Sequence, residues 1–474
     1  MDVPDAVVVG SGPNGLAAAI VLAQAGRSVT VYEAAPAIGG GVRSAELTLP
    51  GFVHDICSAV HPFARASPFF RTLPLAAHGL QWTEPPVMLA HPFEDGGCAA
   101  VHRSVERTAE GLGADARRYR DLVGATVDDW PDLEPAVLGP LRWPRHPLTL
   151  ARFGWQAIRP ADAFARDAFD DSRTRALFAG MAAHGMLPLD RRPTAGIGLV
   201  LATLAHAAGW VFPRGGAQRL SDALAAHLRA LGGEIIVGHQ VRSLDELPPA
   251  RAVLCDLSPA PFLRVAGRRL PPRYRRRLER YRYGMGAFKI DWALDGPIPW
   301  RAEPCLRAGT VHLGATFEQI ARSEAAAWRG EIADRPFVIL AQPTLFDPSR
   351  APDRRQTAWA YCHVPRGSGA DMLSPIERQI ERFAPGFRER VLARAVMGPA
   401  EIERHNPNLV GGDIGAGVTD LRQLFTRPTW RTYSTPVRGL YLCSAATPPG
   451  VGVHGMCGYF AARRALRDLF GGER

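Results

Sequence analysis

The chain reads as α/β: an open, mostly parallel sheet flanked by helices and interleaved with a second, α+β domain. Three observations predict this. The apolar, β-branched run Val7-Val8-Val9 passes through a glycine-bearing turn into an alanine-rich helix, and Val29-Thr30-Val31-Tyr32 follows as a second strand. The same alternation returns late: a helix over 217–231 leads to Glu234-Ile235-Ile236-Val237, and Gly439-Leu440-Tyr441-Leu442-Cys443 leads through a loop to a helix over 456–466. The 474 residues also exceed the usual size of one core, so the intervening stretches belong to a second domain.

In chain order, the first turn is Gly10-Ser11-Gly12-Pro13-Asn14-Gly15. Glycines permit a tight bend and close backbone approach, and the helix behind them offers unpaired N–H groups to phosphate. Glu33 lies 18 residues beyond Gly15, where an acidic side chain accepts hydrogen bonds from a ribose. Together these make a Rossmann-like dinucleotide site, and an acid at 33 suits an unphosphorylated ribose, FAD or NAD, over NADP. Ile38-Gly39-Gly40-Gly41-Val42-Arg43-Ser44 is too glycine-rich for a regular element and reads as a second approach to the cofactor, with Arg43 facing phosphate. The stretch 51–62 reads as a loop crossing the cofactor, and it carries His54 and His61.

From about 75 to 205 Trp, Pro and Arg become common, and helical windows over 161–168 and 173–183 alternate with proline breaks. This segment reads as lining a substrate space into which His184 can reach, though a structural histidine is an equal reading. Strands over 234–237 and 251–255 return the chain to the nucleotide domain, the arginine-rich helix over 269–282 reads as solvated, and 286–294 has strand character. Gln342-Pro343-Thr344, 361–365 and Gly411-Gly412-Asp413 read as loops or strand ends.

Composition excludes several classes. The formal charge of +10 comes from 55 arginines and one lysine spread along the chain, a coding bias rather than a basic stripe with interleaved aromatics, so no nucleic-acid partner is expected. Seven cysteines show no CxxC and no metal spacing, which suggests a reducing cytoplasm and no metal. Met1-Asp2-Val3-Pro4 runs almost directly into the first strand with no export signal, and the longest apolar run, near 195–204, is far short of the roughly 20 residues that span a bilayer. Contact with a membrane surface or a quinone stays open, as does a monomer or a homodimer.

The stretches 10–15 with Glu33, Gly39-Gly40, 51–55, Pro213-Arg214-Gly215-Gly216, Asn406-Pro407-Asn408, 411–413 and 439–458 together resemble the flavoprotein superfamily of amine oxidases and phytoene desaturases. The nearest resemblance is to phytoene-dehydrogenase-related proteins. It implies a Rossmann-like FAD-binding domain of the glutathione-reductase type with an interleaved α+β substrate domain. The segments implied are 1–74, 206–265 and 426–474 for FAD, and 75–205 and 266–425 for substrate. The resemblance makes Gly10, Gly12, Pro13, Asn14 and Gly15 the pyrophosphate turn and Glu33 the ribose acceptor. Gly40, Gly41 and Arg43 become the second phosphate segment, although Gly41 stands where the family carries another arginine. Val241 corresponds to the residue whose backbone holds the adenine. Gly455 and Met456 correspond to the helix start beside the flavin pyrimidine.

Lys289 stands on a strand where the amine oxidases carry a lysine that holds a water against flavin N5. A lysine offers a compact charge and three donors, which an arginine does not. His61 and His454, with His54 and His363 behind them, are further polar candidates near the flavin. The leading reading is FAD-dependent hydride transfer from an apolar, isoprenoid-like or lipid-like substrate, a C–C desaturation, with reoxidation by oxygen or a quinone. The alternatives are an amine (C–N) oxidase and a non-catalytic flavin-binding interaction protein.

Overall fold

The computed structural model describes residues 3–471; Met1, Asp2 and the final three positions of the C-terminal segment lie outside it. A five-stranded, all-parallel sheet runs in the order Leu440–Leu442, Ala252–Cys255, Ala6–Val9, Val29–Tyr32, Glu234–Ile236. Its central strand is buried throughout, as an unbroken apolar run covered on both faces must be. Helix Pro13–Gln24 follows it, with Leu16, Ile20 and Leu22 fully buried. Each such side chain contributes about 1.5–3 kcal/mol relative to exposure. This helix packs against Met456–Leu469, and a Cβ on Gly458 would lie 1.8 Å from the Asn14 carbonyl oxygen. The C-terminal helix therefore touches the first helix backbone to backbone, just behind the glycine turn.

The second layer is a seven-stranded mixed sheet in the order Val391–Met397, Gly286–Leu294, Gln356–Val364, Val338–Ala341, Ala308–Leu313, Val87–Pro92, Cys98–Val101. Neighbours are antiparallel except Ala308–Leu313 and Val87–Pro92. Helices Ser172–Ala183 and Thr194–Ala207 pack on each other, the former also against the Val87–Val101 edge. The architecture is thus a Rossmann-type nucleotide domain joined to a larger mixed α/β domain, as the sequence predicts.

A buried ion network lies between the two layers. Arg350, fully buried, donates from Nη1 to Asp55 (3.0 Å), from Nε to Asp347 (3.0 Å) and from Nη2 to the Pro213 carbonyl (3.2 Å). Asp55 also accepts from Ala217 N and Ser44 Oγ, both at 2.7 Å, and Asp347 accepts from Gly215 N at 2.6 Å. Burial pushes the Asp55 carboxyl up, but Arg350 and these donors outweigh it and hold the group below its ordinary value.

Three expectations are corrected here. Residues 51–62 are not all loop: Val53–Asp55 pairs antiparallel with Ser44–Glu46, and only the segment from Cys57 onward faces the cavity. Residues 361–365 are no loop but the end of a strand, the last four residues of Gln356–Val364 and the proline that follows. The arginine-rich helix is shorter, Pro272–Glu279, because Pro271-Pro272 sets its start, and it buries Tyr274 and Leu278. All seven cysteines are free, and no helix among the described residues is long and apolar enough to cross a membrane.

Candidate functional site

One cavity of about 1720 Å³ runs from the N-terminal glycine turn to the face of the seven-stranded sheet. Ligand pockets ordinarily enclose about 300–1,000 Å³, so this space accommodates a dinucleotide and a second molecule beside it.

The polar end is built on the parallel sheet. Gly10, Gly12, Pro13 and Asn14 line it, and Gly15 sits just behind. A Cβ on Gly15 would stand 2.0 Å from the Gly10 carbonyl oxygen, so the tight turn requires glycine there. Glu33 ends the second strand. Its Oε2 accepts from Ser11 N (2.9 Å) and Ser11 Oγ (2.6 Å), and its Oε1 accepts from Ala35 N (2.9 Å). A carboxylate has about four acceptor directions, so one remains for a ribose hydroxyl. Gly40, Gly41 and Arg43 form the adjoining wall. Arg43 is buried and, among the described residues, donates only to the Gly40 and His405 carbonyls at 2.8 and 3.0 Å and makes no ion pair. Burial lowers its pKa, with Glu33 opposing that shift. Val241 also lines this end, with neither of its backbone polar groups bonded within the described residues. An ion-pair-free guanidinium, the buried and partnerless Asn14 Oδ1, and the free backbone of Val241 suit phosphate, amide-rich and adenine-like groups. The residues fit a dinucleotide.

Asp256 is the residue here that sequence reasoning missed. Its Oδ2 accepts from Gly15 N at 3.0 Å, and burial, then the nearby Glu33, push its carboxyl up to about 7. The signal was available, since Asp256 directly follows the strand Ala252–Cys255 at the carboxyl edge where such sheets bind ligands.

The apolar end is assembled from distant segments. Trp359 and Tyr361 project from one face of their strand, ring centroids 5.7 Å apart and nearly parallel, and His61, His184 and Trp210 share the wall. His184 Nε2 and His312 Nε2 share a hydrogen bond at 3.0 Å, and burial lowers the His184 pKa to about 3, so the imidazole is neutral at ordinary pH. His184 Nδ1 has no internal partner. His61 is likewise lowered to about 4 by burial, and neither of its ring nitrogens has a partner. Arg427, buried in the same wall, bonds only to the Tyr281 hydroxyl and the Ala416 carbonyl, each at 2.9 Å.

Lys289 does not line this cavity. It is buried in the floor of an adjoining chamber of about 20 Å³, whose walls Cys57, Trp359, Tyr361 and His405 also belong to the main cavity. Its amine is ion-paired to Asp291, two residues along the same strand face, and lies 5.5 Å from the Trp359 ring centroid. Asp291 is raised by burial to about 6, with Lys289 opposing that shift, and His54 Nδ1 lies 3.6 Å from its other oxygen. A chamber of that size holds one water molecule.

Three named residues stand behind the wall rather than in it. His454 Nδ1 accepts from Met456 N at 3.0 Å and so caps the C-terminal helix. Met456 is buried against the first helix, and Gly455, at φ 69°, leaves room for the Phe70 ring, which its Cβ would meet at 2.4 Å. The cavity face is made instead by the preceding loop, Pro448, Pro449 and Val451 to Val453. The physical reason is that the first N–H of this helix is already satisfied internally.

Comparison with known proteins extends these observations. Residues 8–73 match a family described as an NAD(P)-binding Rossmann-like domain. The chain is 26% identical to the rat pyridine nucleotide-disulfide oxidoreductase domain-containing protein 2, over 98% of this chain and 94% of that protein. It is 27% identical to the phytoene dehydrogenase of Streptomyces griseus, over 86% of this chain and 80% of that protein. Its fold matches putrescine oxidase bound to putrescine with a TM-score of 0.63 at 18% identity, over 99% of each chain. With the parallel sheet, the glycine turn and the cavity beside it, these likenesses describe a Rossmann-fold oxidoreductase related to the phytoene dehydrogenases, with a fold it shares with putrescine oxidase.

Proposed function

We propose that the protein is an FAD-dependent oxidoreductase that removes a hydride and a proton from an apolar-bodied organic substrate. The observation that carries this reading is the single cavity joining the glycine turn and Glu33 to the aromatic, histidine-bearing face of the second sheet. Gly10 to Gly15, Glu33, Gly40, Gly41, Arg43 and Val241 would hold the cofactor's adenosine diphosphate part. FAD held there would supply a two-electron acceptor, so the chain's own work is to bind, orient and exclude water.

Trp359 and Tyr361 offer a flat apolar surface against which a substrate carbon is oriented. His184, neutral and held by His312, can accept a hydrogen bond from the substrate at Nδ1 and so orient it, its lowered pKa keeping it an acceptor rather than a store for the proton. Lys289, with two N–H groups beyond the one given to Asp291, can hold a water in the side chamber.

Oxidation of a C–N bond is the first assignment to test. The fold likeness to putrescine oxidase spans nearly the whole chain, and a neutral imidazole can accept a hydrogen bond from the N–H of an amine already in its neutral form. Desaturation of a C–C bond is the second, favoured by the apolar walls and by the likeness to a phytoene dehydrogenase. The test is to load the protein with FAD and add hydrophobic amines and isoprenoid alkenes without oxygen. Bleaching of oxidised flavin by one class assigns the bond. Flavin that stays oxidised with both classes favours the non-catalytic flavin-binding reading, and failure to bind FAD overturns the proposal.

A further inference from the structure

Behind the side chamber, two buried polar atoms face each other 3.6 Å apart: His54 Nδ1 and Asp291 Oδ1, on side chains with no exposed surface. Among the described residues, neither atom has a hydrogen-bond partner. Buried polar atoms are almost always paired, so a facing couple of this kind calls for a shared proton. An N–H···O bond spans about 2.9–3.0 Å, and a shift of roughly half an ångström closes this one.

Each side chain also has a partner beyond the gap. Asp291 holds the Lys289 amine through its other oxygen, and Lys289 lines the side chamber. The second ring nitrogen of His54, Nε2, lies 2.8 Å from the Thr48 hydroxyl, and Thr48 is only half-buried. Lys289, Asp291, His54 and Thr48 thus form a continuous row from the chamber toward solvent.

The electrostatics suit passing a proton rather than storing one. The charged groups acting on His54 are Asp291, Lys289, Asp55 and Arg350; burial, then Lys289, lowers its pKa to about 3, so no imidazolium accumulates. Asp291, raised to about 6 by burial against the opposing pull of Lys289, and pushed further by Asp55, exchanges a proton near neutral pH. A neutral imidazole can take a proton at one nitrogen as it gives one from the other.

We propose that Thr48, His54 and Asp291 form a proton path that supplies the Lys289 chamber from solvent. This role rests on the proposed oxidation. Reducing oxygen or a quinone takes two electrons and two protons, and the hydride removed from the substrate carries both electrons but only one proton. The second proton arrives along the path. As Lys289 gives an N–H proton to the chamber, Asp291 Oδ1 takes the proton of His54 Nδ1. His54 Nε2 takes the Thr48 hydroxyl proton, which solvent water replaces, and a half-turn of the Asp291 carboxyl returns a proton to the Lys289 amine.

The experiment follows the His54 ring nitrogens by nitrogen-15 NMR in the full chain labelled at histidine, with and without FAD. The His54 signals are those that His54→Gln removes or Thr48→Val displaces. In the wild type the proton is expected on Nδ1 above about pH 6 and on Nε2 below it, as Asp291 is charged or neutral. Asp291→Asn is expected to hold one tautomer throughout. One unchanging tautomer in the wild type overturns the path. In the FAD-loaded chain, His54→Gln is expected to slow reoxidation of reduced flavin by oxygen at least about tenfold and to raise its solvent deuterium effect. Thr48→Val, at a partly exposed position, serves should His54→Gln fail to fold, and reoxidation at the wild-type rate also overturns the path. Protein that binds no FAD fails the oxidation, whereas bound, reducible flavin beside an unchanging His54 tautomer fails the path alone.

Discussion

The two ends of the cavity are built by different physics. The nucleotide end consists largely of backbone: glycines that clear space, helix N–H groups, and two side chains, Glu33, bonded within the N-terminal segment, and Arg43, bonded to the Gly40 carbonyl and across the chain to that of His405. The opposite end consists of side chains brought together across the chain, with Cys57, His184 and Trp359 on its wall and Lys289 in the small chamber beside it. Damage to the first should therefore appear as lost affinity with the fold intact, and damage to the second as altered chemistry with affinity intact. What lies between them should cost stability.

Arg350 tests that junction and carries the largest expected effect. Arg350→Ala leaves Asp55 and Asp347 buried without their cation, which costs about 3–5 kcal/mol. Urea unfolding checks it, and a loss near zero would show that the layers do not depend on the network. In the wild type, Asp55 has a folded pKa below its ordinary 3.8, so its contribution is present above that value. It is lost as pH falls through the lower folded pKa, and the acid limb of unfolding should steepen there.

Glu33 tests the polar end. Hydrogen bonds to a charged group contribute about 1.5–3 kcal/mol, so Glu33→Ala should weaken FAD binding by roughly one to two orders of magnitude. Flavin fluorescence titration measures this. Unchanged affinity would remove the ribose assignment, and aggregation instead of folded, flavin-poor protein would mean that the Ser11 and Ala35 bonds matter more to the fold.

Lys289 tests the apolar end. Lys289→Met removes the cation but leaves Asp291, already raised to about 6, able to take a proton and remain neutral, so the variant should fold and bind FAD. Reoxidation of reduced flavin by oxygen should slow on the order of tenfold, a modest share of what positioned proton handling supplies. A stopped-flow rate equal to wild type with flavin bound would reject a role for the side chamber.

This difference also explains what the sequence made legible. The Rossmann layer was readable because its signals are local: a valine strand, a glycine turn and an alanine helix within twenty-odd positions. Lys289 stood out because every other basic side chain, histidine aside, is arginine. By the same bias Arg350 and Arg427 were invisible, since nothing marks two buried arginines among 55. At His454 the sequence is ambiguous, because histidine beside a helix start reads equally as a ligand contact or as a cap, and the geometry shows the bond from Met456 N to its Nδ1. Trp359 and Tyr361 lie two positions apart on one face of their strand, and only the packing of the sheet puts that face on the cavity.

Asp256 joins the two readings and gives the smallest but most specific effect. Its carboxyl rests on Gly15 N, at the helix end that draws phosphate, and its folded pKa of about 7 lies above its ordinary 3.8. A raised carboxyl contributes stability that is full below 3.8 and disappears as pH rises through about 7. A bound pyrophosphate adds negative charge beside it and raises the group further, so binding takes up a proton once the free protein has lost it. FAD affinity should then be flat below neutral pH and fall above it, by up to about tenfold per pH unit. Asp256→Asn keeps an acceptor oxygen for Gly15 N without the charge, so its affinity should not follow pH and should exceed wild type in mild alkali. Titrations of both proteins across neutral pH decide the matter: parallel curves would mean that Asp256 leaves the turn when the cofactor binds, and that the glycine backbone alone holds the phosphates.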